Sequence, residues 1–208
     1  NVGDNVSITI NASGNGYNYV YGIWNYAGNT NIGDNLEIAI NNTTSSDIAY
    51  VAGISALSGI VTGKSVVIDA KSSIQISSDG IHNSYGIESR DDSASVIFTG
   101  DVIIRNTAVA LNIGQNSSVQ LGGEGKTVSM DGWILARDKA KVEVNGTTTV
   151  NGSISSESDS QITFDGETTV NGDVYTKETD HALSHSDGGG GNISFKGTTT
   201  INGDVETV

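Results

Sequence analysis

The chain has 208 residues, a formal net charge of −14 from 24 acidic and 10 basic residues, and neither cysteine nor proline. The acidic balance excludes nucleic acid as a partner, because phosphate binding needs a basic surface, and the lack of cysteine excludes disulfides and thiolate metal sites. Proline is rare inside sheets, so its absence is compatible with strands along the whole chain. The hydrophobic content of 36% indicates a thin, elongated core.

The sequence is organised around a repeat whose most regular copies lie towards its end. The segments "VEVNGTTTVNGSIS", "ITFDGETTVNGDVY" and "ISFKGTTTINGDVE" begin at Val142, Ile162 and Ile193. Each copy contains three short alternating segments, and the third of these can be aligned along the whole chain. Its apolar position is filled by Ile23, Ile54, Ile87, Leu111, Ile134, Ile154, Val174 and Val205. The shortest interval is 20 residues and the longer ones accommodate insertions.

Three short strands and three corners in one repeat predict a coil of a stacked-repeat fold. We therefore expect an all-β chain that forms a right-handed three-sheet parallel β-helix, or solenoid, of about eight coils. The right-handed winding follows from the handedness of parallel crossovers. An antiparallel meander fits less well, because equivalent segments recur at every third strand. Residues 1–208 are expected to form a single fragment of a longer chain, with an inserted corner loop at residues 176–191.

In-register stacking makes specific predictions about side chains. One inward stack is expected to contain Phe98, Leu121, Val144, Phe164 and Phe195. A ladder of stacked amides is expected at the corner formed by Asn151, Asn171 and Asn202. The Asn-Gly pairs at this corner are expected to adopt the left-handed backbone conformation, which both residue types tolerate.

Several of these features together resemble the passenger domain of bacterial autotransporters, the proteins of type V secretion. The features are repeats of the form VxGxTTVNGxI, "YGI" or "AGI" third segments, acidic charge, and the absence of cysteine and proline. The resemblance covers all 208 residues. It implies a β-helix at the bacterial cell surface, outer membrane-anchored or secreted, and a translocator β-barrel elsewhere in the full-length protein. It also implies an adhesin or aggregation factor that contributes to biofilm formation or virulence.

An aromatic-rich segment near the start is the main candidate for ligand binding. Five rings fall within ten residues, at Tyr17, Tyr19, Tyr21, Trp24 and Tyr26. Trp24 follows the inward Ile23, so alternation predicts that its side chain points outward. Exposed rings of this kind can stack on sugars or anchor a protein partner, and the alternative is that they pack on each other.

The few residues with potential for catalysis or metal binding form weaker patterns. His181 and His185 lie four residues apart in the insertion at 176–191, a spacing that two ligands on one helical turn require. We include both as candidate ligand-binding residues, although a plain loop is the simpler interpretation. Asp91 and Asp92 form an acidic doublet that could do acid–base work on a sugar, but a solvated loop is the simpler reading. No catalytic residue, metal site or cofactor is therefore predicted.

Three functions are compatible with this sequence. The first is a cell-surface adhesin or aggregation module that binds a host or bacterial surface ligand without catalysis. Its partner would be a cell-surface glycan or protein, or a second copy of the protein on another cell. The second is a polysaccharide-active lyase or hydrolase built on the same fold, and the third is a structural stalk for a distal binding domain. The first is favoured, because no matched set of catalytic residues is recognisable.

Overall fold

The computed structural model describes residues 1–14, 18–44, 49–73, 83–89, 91, 93–177 and 190–207. This described part of the chain is all β, with 19 strands and no helix, so it holds no helix that could cross a membrane. The strands, in chain order, are β1 (Val6–Ala12), β2 (Asn18–Asn31), β3 (Asn35–Asn42), β4 (Ala49–Gly63), β5 (Ser65–Ser72), β6 (Ser84–Ser89), β7 (Ser95–Phe98), β8 (Val102–Arg105), β9 (Val109–Ile113), β10 (Ser118–Asp131), β11 (Trp133–Ala136), β12 (Lys141–Asn151), β13 (Ile154–Glu157), β14 (Gln161–Asp165), β15 (Thr168–Val170), β16 (Val174–Lys177), β17 (Asn192–Phe195), β18 (Thr199–Ile201) and β19 (Val205–Thr207).

The strands pair in parallel and form three ladders, each of which takes one segment from every repeat. The first ladder contains the C-terminal parts of β2 and β4, then β7, the N-terminal parts of β10 and β12, β14 and β17. The second contains β1, β3, β5, β8, the C-terminal parts of β10 and β12, β15 and β18. The third contains the N-terminal parts of β2 and β4, then β6, β9, β11, β13, β16 and β19.

The register of the third ladder confirms the alignment of the eight repeats. Ile23 pairs with Ile54, and the pairing continues one residue per repeat through to Val205. Side chains from all three ladders pack into one hydrophobic cluster, in which Ile54, Ile68 and Phe98 are fully buried. The repeats thus share a single continuous core.

The predicted inward stack on the first ladder is also confirmed. Phe98, Leu121, Val144, Phe164 and Phe195 are paired in this order. The first four side chains are fully buried, and Phe195, on the last strand of the ladder, is half-buried. The rings of Phe164 and Phe195 are stacked, with centroids 5.1 Å apart and planes 8° from parallel. Identical positions in successive repeats therefore meet directly in the core.

The predicted amide ladder forms and is longer by one residue than expected. Asn202 donates its amide N–H to the Asn171 Oδ1 at 2.8 Å, and Asn171 donates to the Asn151 Oδ1 at 2.8 Å. Asn151 in turn donates to the Asp131 carboxylate at 2.7 Å. Every donor points towards the preceding repeat, so the ladder has one direction and ends on a carboxylate.

The predicted conformation of the Asn-Gly pairs is wrong. None of the residues at 151–152, 171–172 and 202–203 has a positive φ. Glycine is needed there because the stacked backbones approach closely, and a Cβ on Gly172 would lie 2.5 Å from the carbonyl of Gly152. At these three pairs the constraint on the residue is space, whereas the equivalent positions of two earlier repeats, Asn106 and Gly132, have positive φ.

Pairs of left-handed residues occur at the corner between the third and first ladders. Two successive residues have positive φ there in three repeats, at 115–116, 138–139 and 158–159. The residues include Asn116 and Asp138, whose short polar side chains tolerate this conformation better than most. The chain therefore turns through two left-handed residues at this corner in each of those repeats.

Replacement of Phe164 by Ala is predicted to be strongly destabilising. The ring is fully buried between Val144 and Phe195, and removal of a buried Phe side chain costs about 3–5 kcal/mol. Thr163 is the matched control, because it lies next in the same strand and points away from the core. Thr163→Ala should change the free energy of unfolding by less than about 0.5 kcal/mol. Denaturant unfolding of both variants tests this, and equal losses would contradict the assigned orientation.

Candidate ligand-binding surface

The third ladder bends at a small residue in four successive repeats, at Gly22, Gly53, Gly86 and Ala110. A Cβ on Gly22 would lie 2.4 Å from Ile38 Cγ2 in the core, and Gly53 and Gly86 make the equivalent approach to core side chains. The next residue, Ile23 in the first of these repeats, also packs against the core. Two successive inward residues interrupt the normal alternation. Side chains on either side of the bend, such as those of Tyr21 and Trp24, therefore lie three residues apart on the outer face.

The register organises this outer face into two rows of side chains that run along the ladder. The first outer row consists of Tyr21, Ala52, Tyr85, Val109 and Trp133. The second outer row consists of Trp24, Ser55, Glu88, Asn112, Leu135, Ser155, Tyr175 and Glu206. Each row thus has an aromatic residue in its first repeat and another several repeats further along.

Rings of the first three repeats contact one another and form a continuous cluster, here called the first ring cluster. It contains Tyr19, Tyr21, Trp24, Tyr26, Tyr50 and Tyr85. Tyr50 lies at its centre, with its ring centroid 4.9 Å from that of Tyr85 and 5.9 Å from that of Tyr21. Tyr21 stacks on Trp24 at 5.7 Å, with the planes 17° apart.

The candidate residues of this cluster combine mutual packing with high exposure. Tyr19, Trp24 and Tyr26 are 63%, 60% and 68% exposed, which places Trp24 on the outside as alternation predicts. Tyr85, by contrast, is buried. The less exposed rings therefore pack against Tyr19, Trp24 and Tyr26, each of which keeps a large aromatic surface open to solvent. Tyr17, His181 and His185 lie outside the described residues.

An apolar cluster separate from the main core supports these rings. Ala52, Tyr85 and Val109 are buried in it, and Tyr21, Tyr50, Ala108 and Leu135 pack against them. Because these residues come from several repeats, the first outer row of the third ladder is lined by apolar and aromatic side chains from its first strand to its fifth.

Trp133 and Tyr175 are 42 residues apart in the sequence, and the fold brings them into contact. Their rings meet edge to face, with centroids 6.4 Å apart and planes 82° apart. Trp133 is on β11 and Tyr175 is two strands further on, so the rings meet across β13, whose side chain at this point is the small Ser155. Trp133 is 37% exposed. This pair, here called the second ring cluster, lies on the same outer face as the first.

Aromatic residue types are segregated between the faces of the molecule. All described tyrosines and tryptophans lie on the third ladder or, for Tyr26, immediately beyond its paired residues. The three phenylalanines all lie on the first ladder and point inward. Phenylalanine has no polar group, whereas the hydroxyl and indole N–H of the other two types suit a surface that is partly wet. The segregation therefore separates rings used for packing from rings available for contact.

A polar network occupies the second outer row between the two ring clusters. The buried carboxylate of Glu88 accepts a hydrogen bond from the Asn112 amide at 3.4 Å and lies 3.5 Å from the Ser55 hydroxyl. Arg137 donates to the Asn112 Oδ1 at 2.8 Å. These bonds engage the polar groups with one another. The network therefore serves to hold the outer row in place rather than to offer an open acid or base.

The second ring cluster borders a groove of about 330 Å³. Its walls are Asp173, Val174, Tyr175, Lys177, Asp204 and Glu206. Three carboxylates face one amine there, so the groove is acidic. Among the described residues, no group of three or more His, Asp or Glu side chains is arranged to hold a metal ion.

Burial raises the pKa of Tyr175 above its ordinary value of 10.0. A hydrogen bond with Ser155 opposes this shift, and the nearby charges of Glu157 and Asp173 add to it. The folded protein therefore keeps this phenol proton at a pH where the unfolded chain loses it. The resulting stabilisation is present below pH 10 and is lost as the pH rises through the folded pKa.

Alkaline titration of wild type and Tyr175→Phe is predicted to expose this shift. The difference between their phenolate absorbances isolates the ionisation of Tyr175, and its midpoint should lie above 10. Tyr175→Phe should also lose less stability than wild type as the pH is raised past 10. A midpoint at or below 10 would contradict the burial of this hydroxyl.

Comparison of the chain with protein-family models, with curated proteins and with solved structures found no match. Arguments about function therefore rest on the chemistry of the outer face of the third ladder. That face combines exposed rings, a supporting apolar cluster and an acidic groove. Such a surface suits binding through shallow contact, and the charged groups of Glu88 and Arg137 are hydrogen-bonded to neutral side chains of the same face.

Proposed function

We propose that this chain is a non-catalytic binding module of a bacterial cell-surface protein, and that it attaches cells to a host or bacterial surface ligand through the outer face of the third ladder. The observation that carries the proposal is the collection of the described tyrosines and tryptophans on one face, three of them more than half exposed. Exposed Trp and Tyr side chains supply much of the energy of binding at surface contacts.

The proposal includes a finer description of the fold. We propose that the three parallel ladders wind as a right-handed, three-sheet β-helix of eight coils. The recurrence of each ladder at every third segment supports it, as does the single core that all three ladders share. Right-handed winding is the strong preference of parallel crossover connections. With strands spaced about 4.8 Å apart, eight coils would give a rod roughly 40 Å long.

A place in the passenger domain of an autotransporter is the proposed biological setting. The repeat pattern, the acidic charge and the absence of cysteine support it. A surface-exposed or secreted location accords with a binding face that carries exposed aromatic rings. In such a passenger the long axis would carry the ring clusters away from the cell and towards a ligand.

An enzyme on the same scaffold is the alternative, with Glu88 as the natural candidate for acid–base chemistry. Its contacts to Asn112 and Ser55 and its burial argue against that role, because a general acid or base must reach the proton that it transfers. A structural stalk is the other alternative. A stalk has no need for large rings that are more than half exposed, since each exposes apolar surface to water.

Removal of the most exposed rings is predicted to abolish attachment. Truncation of a hot-spot ring typically costs at least about 2 kcal/mol, roughly a thirtyfold loss of affinity. The double variant Trp24→Ala, Tyr26→Ala should therefore bind cells at least that much more weakly, while its circular dichroism spectrum is unchanged. Fluorescently labelled chain titrated onto bacterial and epithelial cells would measure this.

Ile60→Ala, Ile103→Ala is the matched control for that experiment. Both isoleucines are exposed, at 40% and 38%, but they lie on the first and second ladders. The control should bind like wild type. Undiminished attachment of the ring variant would refute the aromatic face as the binding surface, and failure of wild type to bind any cell would favour the stalk.

A further inference from the structure

We infer that the outer face of the third ladder binds a neutral, linear glycan that lies along the ladder and contacts both ring clusters. The inference rests on the proposed function, since it names the ligand class for the same surface. It assigns a binding role to Trp133 and Tyr175, which are far in sequence from the aromatic segment at the start of the chain.

The two ring clusters are aligned by the register of the ladder. Trp24 and Tyr175 occupy the same outer row and are separated by six strand steps. At about 4.8 Å per step, they are roughly 29 Å apart along the ladder. Tyr21 and Trp133 share the other row, four steps or roughly 19 Å apart. A straight ligand parallel to the ladder would therefore meet aromatic rings at both ends.

The distribution of exposure along the rows favours a thin ligand over a folded protein. In a protein interface, the residues that contribute most cluster at the centre, within a ring of weaker contacts. Here the central residues Ala52, Tyr85 and Val109 are already buried, whereas Trp24 and Trp133 at the ends are exposed. An extended chain that gains its contacts at separated points matches this arrangement.

The chemistry of the rings and the groove indicates a sugar chain. The apolar C–H face of a pyranose packs on an aromatic ring while its hydroxyl groups hydrogen-bond at the edge. The groove beside Tyr175 supplies the carboxylates of Asp173, Asp204 and Glu206, which accept hydrogen bonds from hydroxyl groups. Ring and acceptors together form a subsite for one sugar unit.

The charge of the surface indicates that the glycan is neutral. The groove holds three carboxylates against one amine, and the whole chain carries a net charge of −14. A uronic or sialic acid polymer would be repelled by both, because like charges oppose association. Neutral hexose or N-acetylhexosamine chains meet no such penalty.

Length dependence of binding is the test. The purified 208-residue chain would be titrated with neutral linear oligosaccharides of the glucan, mannan, galactan and chitin types, from disaccharide to octasaccharide, with polyuronates as the charged comparison. At least one neutral series is expected to bind, and its octasaccharide should bind at least tenfold more tightly than its tetrasaccharide. Polyuronates should bind more weakly than every member of that series.

Variants at each end then test whether both clusters contribute. Trp133→Ala and, separately, Trp24→Ala with Tyr26→Ala should each strongly reduce the advantage of the octasaccharide, since either change removes the exposed tryptophan of one cluster. Ile103→Ala, on the second ladder, should preserve it. Circular dichroism and the unfolding midpoint establish that each variant is folded, and Trp133→Phe, which keeps a ring, should restore most of the length dependence.

The outcomes separate this inference from the proposed function. Attachment to cells that depends on Trp24 and Tyr26 but not on Trp133 would overturn the inference and leave the binding module intact. The same holds if cells bind while no neutral oligosaccharide does, or if polyuronates bind best. Failure of the chain to bind either cells or oligosaccharides would overturn both.

Discussion

Backbone hydrogen bonding between equivalent segments of successive repeats is the constraint on which the other features depend. Asn171 donates its backbone N–H to the Val150 carbonyl at 2.8 Å, and Asn202 donates to the Val170 carbonyl at 2.8 Å. These bonds fix each residue beside its counterpart one repeat away. Side chains at equivalent positions of successive repeats are thereby placed next to each other, so each position needs residue types that pack against their own counterparts. Stacked Phe rings, stacked amides and close-packed glycines all satisfy that requirement, each by a different contact.

The same register that builds the core also builds the outer surface. The register aligns Ile23, Ile54 and Ile87 in the core. It therefore also aligns the residues that follow them on the outer face, which are Trp24, Ser55 and Glu88. A surface row can therefore vary in residue type from repeat to repeat without any cost to the core. This separation lets a regular scaffold carry an irregular face, with rings at some positions and a hydrogen-bonded polar network at others.

The sequence contained enough information for the parallel pairing and the core, because apolar alternation and the repeated "NG" mark each segment directly. The alignment of the eight positions and the stack that contains Phe164 can both be predicted from the apolar alternation. The contact between Trp133 and Tyr175 is harder to predict, because Trp133 precedes the aligned Ile134 whereas Tyr175 follows the aligned Val174. The two rings therefore meet diagonally, between the two outer rows. The space required at Gly172 could not be read from sequence, because glycine serves crowded and left-handed positions alike.

The direction of the amide ladder has a consequence for how such a chain can grow. Asparagine both donates and accepts, so a further Asn-bearing repeat can be copied after residue 202 or between 151 and 171 without a mismatch. Asp131 only accepts when it is ionised, and it occupies the one place in the ladder where no donor is required of it. If a copy of the repeat that carries Asp131 were inserted between two asparagine-bearing repeats, its carboxylate would face an amide oxygen. The donor direction of the ladder therefore restricts an Asp-bearing repeat to the end of the ladder that only accepts.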